Sequence, residues 1–263
     1  MPFEHVLQAS RFELKYVIDE QRAHGVRDFV KNYLEPDENA DPSALDCAYP
    51  VHSLYCDSPG LMLYKQTVQG LKNRFKLRIR FYNGKQDAPA FLEIKRRVTD
   101  VICKERAAIT RKGVERLIDG GWPDASCLFG RNGAAKGGSA LENFRTLYAS
   151  LEAGPCVYVS YLREAYVSPN SNQVRVTFDR LIQGSHFDRG QCLIPPKFTE
   201  GIRPDIGGVV LEMKFTDRFP PWMRDAVLAF NLQRGSMAKY VTCVDAMGIR
   251  PGLRFSAQSG IAR

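Results

Sequence analysis

The sequence has no CxxC pair and no even set of cysteines. Its seven thiols, Cys47, Cys56, Cys103, Cys127, Cys156, Cys192 and Cys243, are scattered through 263 residues. That spacing excludes a recognisable disulfide framework or zinc site and points to a reducing compartment. No stretch approaches the roughly 18 apolar residues of a membrane-spanning helix. The opening MPFEHVLQASRFELKY lacks an apolar h-region and carries Glu4, Arg11 and Glu13, so no secretory signal is expected and the expected location is the cytoplasm. His5, His24, His52 and His186 show no HxxxH or HExxH spacing, and no GxSxG elbow is present. In GRNGAAKGGS (Gly130–Ser139), Lys136 is followed by Gly137 and not by the Ser or Thr of a phosphate loop. This segment is expected to be a flexible loop.

What is present is a soluble, core-forming composition, 44% apolar and 25% charged, with a formal net charge of +8. Such a surplus favours an anionic partner: nucleic acid, phosphate compounds or an anionic surface. Its clearest local expression is RFKLRIRFY. Arg74, Lys76, Arg78 and Arg80 alternate with Phe75, Leu77, Ile79 and Phe81, which predicts a strand with four cations and no anion on one face. Cations two residues apart lie roughly 7 Å from each other and repel by about 2 kcal/mol at an effective dielectric near 20. A solvated face tolerates this; an enclosed face needs anions to cancel it.

The same parity recurs. Glu13, Lys15 and Val17 oppose Phe12, Leu14, Tyr16 and Ile18; Glu93, Lys95 and Arg97 oppose Leu92 and Ile94. Lys104 goes with Arg106, Tyr161 with Arg163, Arg175 with Thr177 and Asp179, and Glu212 with Lys214. Strands are expected at about 12–18, 49–56, 74–82, 90–97, 101–109, 157–167, 174–179 and 208–216. Helices are expected at about 20–34, 111–119, 140–151 and 220–232, and KYVTCVDAM is a last strand or helix. The acidic stretch 35–46 reads as a loop. Residues 1–247 read as one domain, with 248–263 a polar basic tail.

A solvated polar face explains any one strand. The set is explained better by an α+β fold in which a closed antiparallel barrel turns its charged faces inward and helices cover the apolar outside. Such a cation-lined tunnel would concentrate a polyanion. Glu13, Glu93 and Glu212 would then be candidates to hold a divalent metal, Mn²⁺ or Mg²⁺, through carboxylates and substrate phosphates. The aromatics of the basic strands (Phe75, Phe81, Phe91, Phe178, Phe215) are expected opposite the cations, in the core, which argues against stacked bases and a nucleic-acid partner.

RFELKY (Arg11–Tyr16), KLRIRFY (Lys76–Tyr82), FLEIKRR (Phe91–Arg97), YLREAYV (Tyr161–Val167), VRVTFDR (Val174–Arg180), VVLEMKF (Val209–Phe215) and SMAKYV (Ser236–Val241) stand in an order that resembles the VTC domain. This is the polyphosphate polymerase family of the triphosphate tunnel metalloenzyme, CYTH-like, superfamily. The resemblance implies a tunnel of eight antiparallel strands that binds ATP or another nucleoside triphosphate with a divalent metal. It implies transfer of the γ-phosphoryl group to inorganic polyphosphate and release of the nucleoside diphosphate. Carried over by motif, Lys15, Arg78, Arg80, Lys95 and Arg163 would grip phosphate, Glu212 would bind metal, and Ser236 and Lys239 would close on the chain. On parity, Lys76, Lys104, Arg106, Arg175 and Lys214 would support them.

Two departures stand out. Arg11 replaces the first acid of the superfamily's ExExK, which favours the polymerase branch. Ser236-x-x-Lys239 is spaced where the family pair is adjacent. A triphosphatase using Glu13 or Glu93 to position water, or a non-catalytic polyanion binder, remains an alternative. Eukaryotic members of the family sit in membrane assemblies. Any such coupling here would need a separate membrane partner, and oligomeric state is not encoded legibly.

Overall fold

Period-two alternation becomes one antiparallel sheet that turns its apolar face outward and its charged face inward. A computed structural model describes residues 11–252 except 100, 131, 132, 170, 172 and 217. Along the chain lie β1 (Arg11–Ile18), α1 (Glu20–Val30), β2 (Glu35–Pro36), β3 (Tyr49–Asp57), α2 (Met62–Val68), β4 (Asn73–Phe81), β5 (Ala90–Val98) and β6 (Val101–Ile109). Then come α3 (Arg111–Ile118), α4 (Gly133–Ser150), β7 (Gly154–Val167), β8 (Val174–His186), β9 (Val209–Thr216), α5 (Pro221–Ala229) and α6 (Lys239–Ala246). The strand order is β1-β9-β8-β7-β3-β4-β5-β6, with β2 beside β7.

The apolar rows bury against the helices. Leu77, Ile79, Phe81, Leu92 and Ile94 pack under α3 and α4 through Leu117 and Phe144. Phe178, Leu211 and Met213 meet Val26 of α1 and Met223 of α5. α6 seats Tyr240, Cys243 and Val244 against Val157, Val159 and Ile182. Each such side chain contributes about 1.5–3 kcal/mol of burial, so the driving force sits outside the sheet and leaves its inner face to charge.

Local sequence sets the joints. The Asp19 carboxylate caps α1 by accepting from Arg22 N at 2.7 Å, and the Thr110 hydroxyl caps α3 by accepting from Gly113 N at 3.2 Å. Pro221 occupies the first turn of α5, where its missing N–H costs nothing. Gly208, at φ +151°, leads into β9, and a Cβ there would lie 2.2 Å from the Ile18 carbonyl oxygen. No other residue fits that crossing.

Several expectations change. The sheet is α+β as predicted, but hydrogen bonds do not close it into a barrel: β6 and β1, its two end strands, are not paired. They approach within 8 Å between Cα atoms, yet loops hold part of each free edge. Gly235 N donates to Lys15 O at 2.9 Å on β1, and Phe129 N donates to Ala108 O at 2.9 Å on β6. β8 continues past residue 179 to His186 because a bulge opposite Ser160–Leu162 shifts its register and hides the alternation. The segment expected as a loop is helical from Gly133 onward. At Gly137, α4 faces β6: a Cβ there would stand in ordinary contact with Ala107, at 3.7 Å, and 3.3 Å from the tip of the Leu128 side chain. α2 falls where no element was expected, and KYVTCVDAM is helical. Of the tail, Ile249 is buried in the α6 cluster and Gly252 N donates to Pro59 O at 3.0 Å; residues 253–263 lie outside the described residues.

Candidate functional site

The inner face is assembled by register. Lys15 lies opposite Glu212 and Glu13 opposite Lys214 across β1 and β9. Arg175 and Thr177 of β8 flank Lys214 and Glu212, and Arg163 of β7 faces Asp179. On the other wall Arg78 meets Tyr55 and Arg80 meets Ser53. Arg78 also faces Glu93, and Lys76 faces Lys95; Lys104 and Arg106 sit beside Lys95 and Glu93. One parity, carried around eight strands, therefore lines one bore.

The four acids on the inward parity, Glu13, Glu93, Asp179 and Glu212, are each surrounded by cations. Glu93, fully buried, accepts from Arg78 Nε at 2.7 Å and pairs with Lys104 at 3.0 Å and Arg106 at 3.2 Å. Glu13 holds Lys95 at 3.0 Å and Lys15 at 3.1 Å. Glu212 pairs with Lys239 and Lys214, each at 2.8 Å. Asp179 takes Arg163 in a two-pronged pair at 2.7 Å and Lys239 at 2.7 Å. Burial pushes the Glu13, Glu93 and Glu212 carboxyls up, but the neighbouring cations outweigh it and hold all three well below the usual carboxylate range.

The cations respond in kind. Burial pushes Lys239 down, yet Asp179 and Glu212 reverse this and hold it above its ordinary value. Burial lowers Lys214 to about 8 against the pull of Glu212 and Glu13, and Lys104 to about 7 against Glu93. Lys76 has no anionic partner among the described residues; burial, Lys15 and Lys95 drive its ammonium well below the usual value. The bore thus holds amines whose ammonium forms are disfavoured until a polyanion enters and restores their protons.

Two cavities share this lining. One of about 360 Å³ and another of about 720 Å³ have Glu13, Arg78, Arg80, Lys95, Arg163 and Lys214 in common, so the same side chains face both. Arg80 is held at the centre by Ser53 Oγ at 3.2 Å and Tyr161 Oη at 3.1 Å.

The structure brings together Lys15, Lys76, Arg78, Arg80, Lys95, Lys104, Arg106, Arg163, Arg175, Lys214 and Lys239 around this passage. Ser236 is exposed and lines the larger cavity near Lys239. Asp179 and Tyr161 sit on faces noted in the sequence but carried no role there; the charge on the parity of Arg175 was the signal for Asp179. Phe91 departs from its expected place. It shares parity with Glu93 and Lys95, lines the smaller cavity and lies 3.5 Å under the Arg106 guanidinium.

Glu13, Glu93 and Glu212 do not form one centre: among the described residues no three His, Cys, Asp or Glu side chains gather as a metal cluster. Glu93 is held by its own cations, whereas Lys15 and Lys214 each lie within ion-pair distance of both Glu13 and Glu212. That second pair supplies hard oxygen donors, and one or two carboxylates completed by substrate phosphates is the usual Mg²⁺ or Mn²⁺ arrangement. Those two residues fit a divalent ion; Glu93 fits the role of a structural counter-ion.

A search of curated proteins finds no match to the chain. Among solved structures it is similar to a proposed adenylate cyclase from Bacillus halodurans, at 11% identity, covering 89% of this chain and 96% of that one with a TM-score of 0.48. A proposed adenylate cyclase from Vibrio parahaemolyticus is 12% identical, with 87% and 94% covered and a TM-score of 0.42. A Pyrococcus horikoshii protein is 12% identical, with 89% and 97% covered and a TM-score of 0.42. The sequence profile of the VTC domain matches residues 10–248. With nearly all of the described residues inside that match, the chain belongs to the VTC domain family.

Proposed function

We propose that the protein is a polyphosphate polymerase that transfers the γ-phosphoryl group of ATP to the end of an inorganic polyphosphate chain and releases ADP. The observation that carries this reading is the bore itself: a passage lined by more cations than carboxylates, with Glu13, Glu93 and Glu212 each held by several of those cations. Phosphoryl transfer needs positioning and charge stabilisation more than covalent help. Arg78, Arg80, Arg163, Lys15, Lys95 and Lys239 supply both, with Lys76, Lys104, Arg106, Arg175 and Lys214 around them and Ser236 at the mouth.

The acceptor is a terminal phosphate, with a second pKa of roughly 6 to 7 by analogy with phosphoserine. It is anionic near neutrality and needs no general base. A hydrolase would use a carboxylate to deprotonate or orient water. Glu13 and Glu93 are poor bases because cations hold their carboxyls well below the usual range. Family membership supports chemistry on a nucleoside triphosphate. Glu212 and Glu13 would hold a divalent ion, Mn²⁺ or Mg²⁺, which would neutralise phosphate charge during transfer.

The test is a product analysis with ATP and Mn²⁺ or Mg²⁺. A ladder of long chains on a polyphosphate-staining gel, matched by ADP and lost in Arg80→Ala and Glu212→Gln, is expected. Free phosphate without a ladder would establish a triphosphatase instead. Labelled polyphosphate bound without turnover or metal dependence would leave a binding protein.

A further inference from the structure

Lys76 differs from the other lysines of the bore. Lys15 and Lys95 hold Glu13, Lys104 holds Glu93, and Lys214 and Lys239 hold Glu212. Among the described residues no carboxylate pairs with Lys76. We propose that Lys76 is a modification site whose amine takes the acyl group of a small acyl phosphate, the phosphate being gripped by the cations around it.

Lys76 lies on the inward row of β4 between Arg74 and Arg78, each roughly 7 Å away along the strand, and directly opposite Lys95 of β5. Its side chain is half-buried and lines the cavity of about 720 Å³, as Lys15 of β1 does, so a small anion can reach it. The charged groups that act on it most, Lys15, Lys95, Arg74 and Arg78, are all cations. A charge withdrawn from water among like charges is disfavoured, and a lysine next to another cation is a recognised nucleophile. Lys104 and Lys214 are also pushed down, to about 7 and about 8. Their amines, however, are held by carboxylates at 3.0 and 2.8 Å, and that of Lys76 is free to attack.

The step balances without a further reagent. The uncharged nitrogen attacks the carbonyl carbon, which stands one oxygen from phosphorus and carries no charge itself. An N–C bond forms, the C–O bond to that oxygen breaks, and inorganic phosphate leaves with the electron pair. The surplus proton of the amine goes to the departing phosphate. The product is a neutral amide that takes up no proton when a phosphate chain enters, so acylation removes one cation from the occupied bore. This chemistry needs the affinity of the bore for phosphate but no polymerase turnover.

The test is acetylation of the full chain by acetyl phosphate, followed site by site with peptide mass spectrometry. Near pH 8 an exposed lysine holds under about 1% of its amine unprotonated. Lys76 is expected to react at least about tenfold faster than exposed Lys31, Lys65 and Lys197, and faster than Lys104 and Lys214. Excess tripolyphosphate is expected to suppress labelling of Lys76 and to leave the exposed lysines alone. With the acetyl ester of N-hydroxysuccinimide, an uncharged donor, the preference for Lys76 is expected to shrink. A rate at Lys76 equal to that of the exposed lysines, no protection by tripolyphosphate, or earlier labelling of Lys104 or Lys214 would overturn the assignment. Selective, protectable labelling of Lys76 in protein that makes no polyphosphate would uphold it and refute only the polymerase reading.

Discussion

Lys104 illustrates how the bore uses single residues. Although its side chain is 44% exposed, desolvation pulls its ammonium down from 10.5 toward about 7, Glu93 opposes the fall, and Arg106 and Arg80 deepen it. A bound phosphate would restore the proton. Between pH 7 and the ordinary lysine value the free protein lacks that proton and the complex holds it, so binding takes up protons and affinity falls as pH rises. Calorimetry of tripolyphosphate binding at pH 8, in two buffers of different ionisation enthalpy, is expected to show this uptake, and Lys104→Arg is expected to reduce it. Identical heats in both buffers would contradict the assignment. At this scale the sequence is legible wherever period two holds: ten cations from Lys15 to Lys214 fall on one strand parity, whereas Lys239 follows only from the family motif. It was less legible where a partner is set by the fold. Asp179 gains its meaning only when α6 brings Lys239 to within 2.7 Å.

Among the elements, α2 shows why some structure escapes local rules. Leu61 caps it in a left-handed conformation with no side-chain bond, so no capping residue announces the helix. The caps come from elsewhere: Asp57, at the end of β3, accepts from Ser58 N at 2.7 Å and from Leu63 N and Tyr64 N at 2.9 Å. The Tyr240 hydroxyl of α6 also donates to it, at 2.6 Å. One fully buried carboxylate thus ties β3, α2 and α6 together. Asp57→Ala leaves buried donors unpaired, at about 1–3 kcal/mol each, and is expected to cost about 3 kcal/mol in urea unfolding. A loss below about 1 kcal/mol would show that the joint does not depend on it. α4 escaped for a different reason. Its glycines read as flexibility, yet the helix buries Leu141 and Phe144 in the core with Ile94, Ala107 and Ile109 of the sheet, a partner visible only once the sheet exists.

The whole molecule is a balance of charge around a hollow. Glu93 sits within ion-pair distance of Arg78, Arg80, Lys104 and Arg106. Removing one partner of a buried pair costs roughly 3–5 kcal/mol, and a chain of this size loses about 2–4 °C for each kcal/mol. Glu93→Gln is therefore expected to lower the melting temperature by about 6–20 °C, and excess tripolyphosphate to raise it more in the variant than in wild type. An equal rise in both would show that Glu93 and the ligand do not share these cations. The open seam between β1 and β6 has a further consequence. A barrel laced all round by backbone bonds has a fixed girth. Here the last gap is fastened by side chains, with Lys95 reaching across to Glu13 at 3.0 Å. Such a clasp gives without breaking any rung of the ladder, so the bore can adjust its width to its contents, and salt can slacken it.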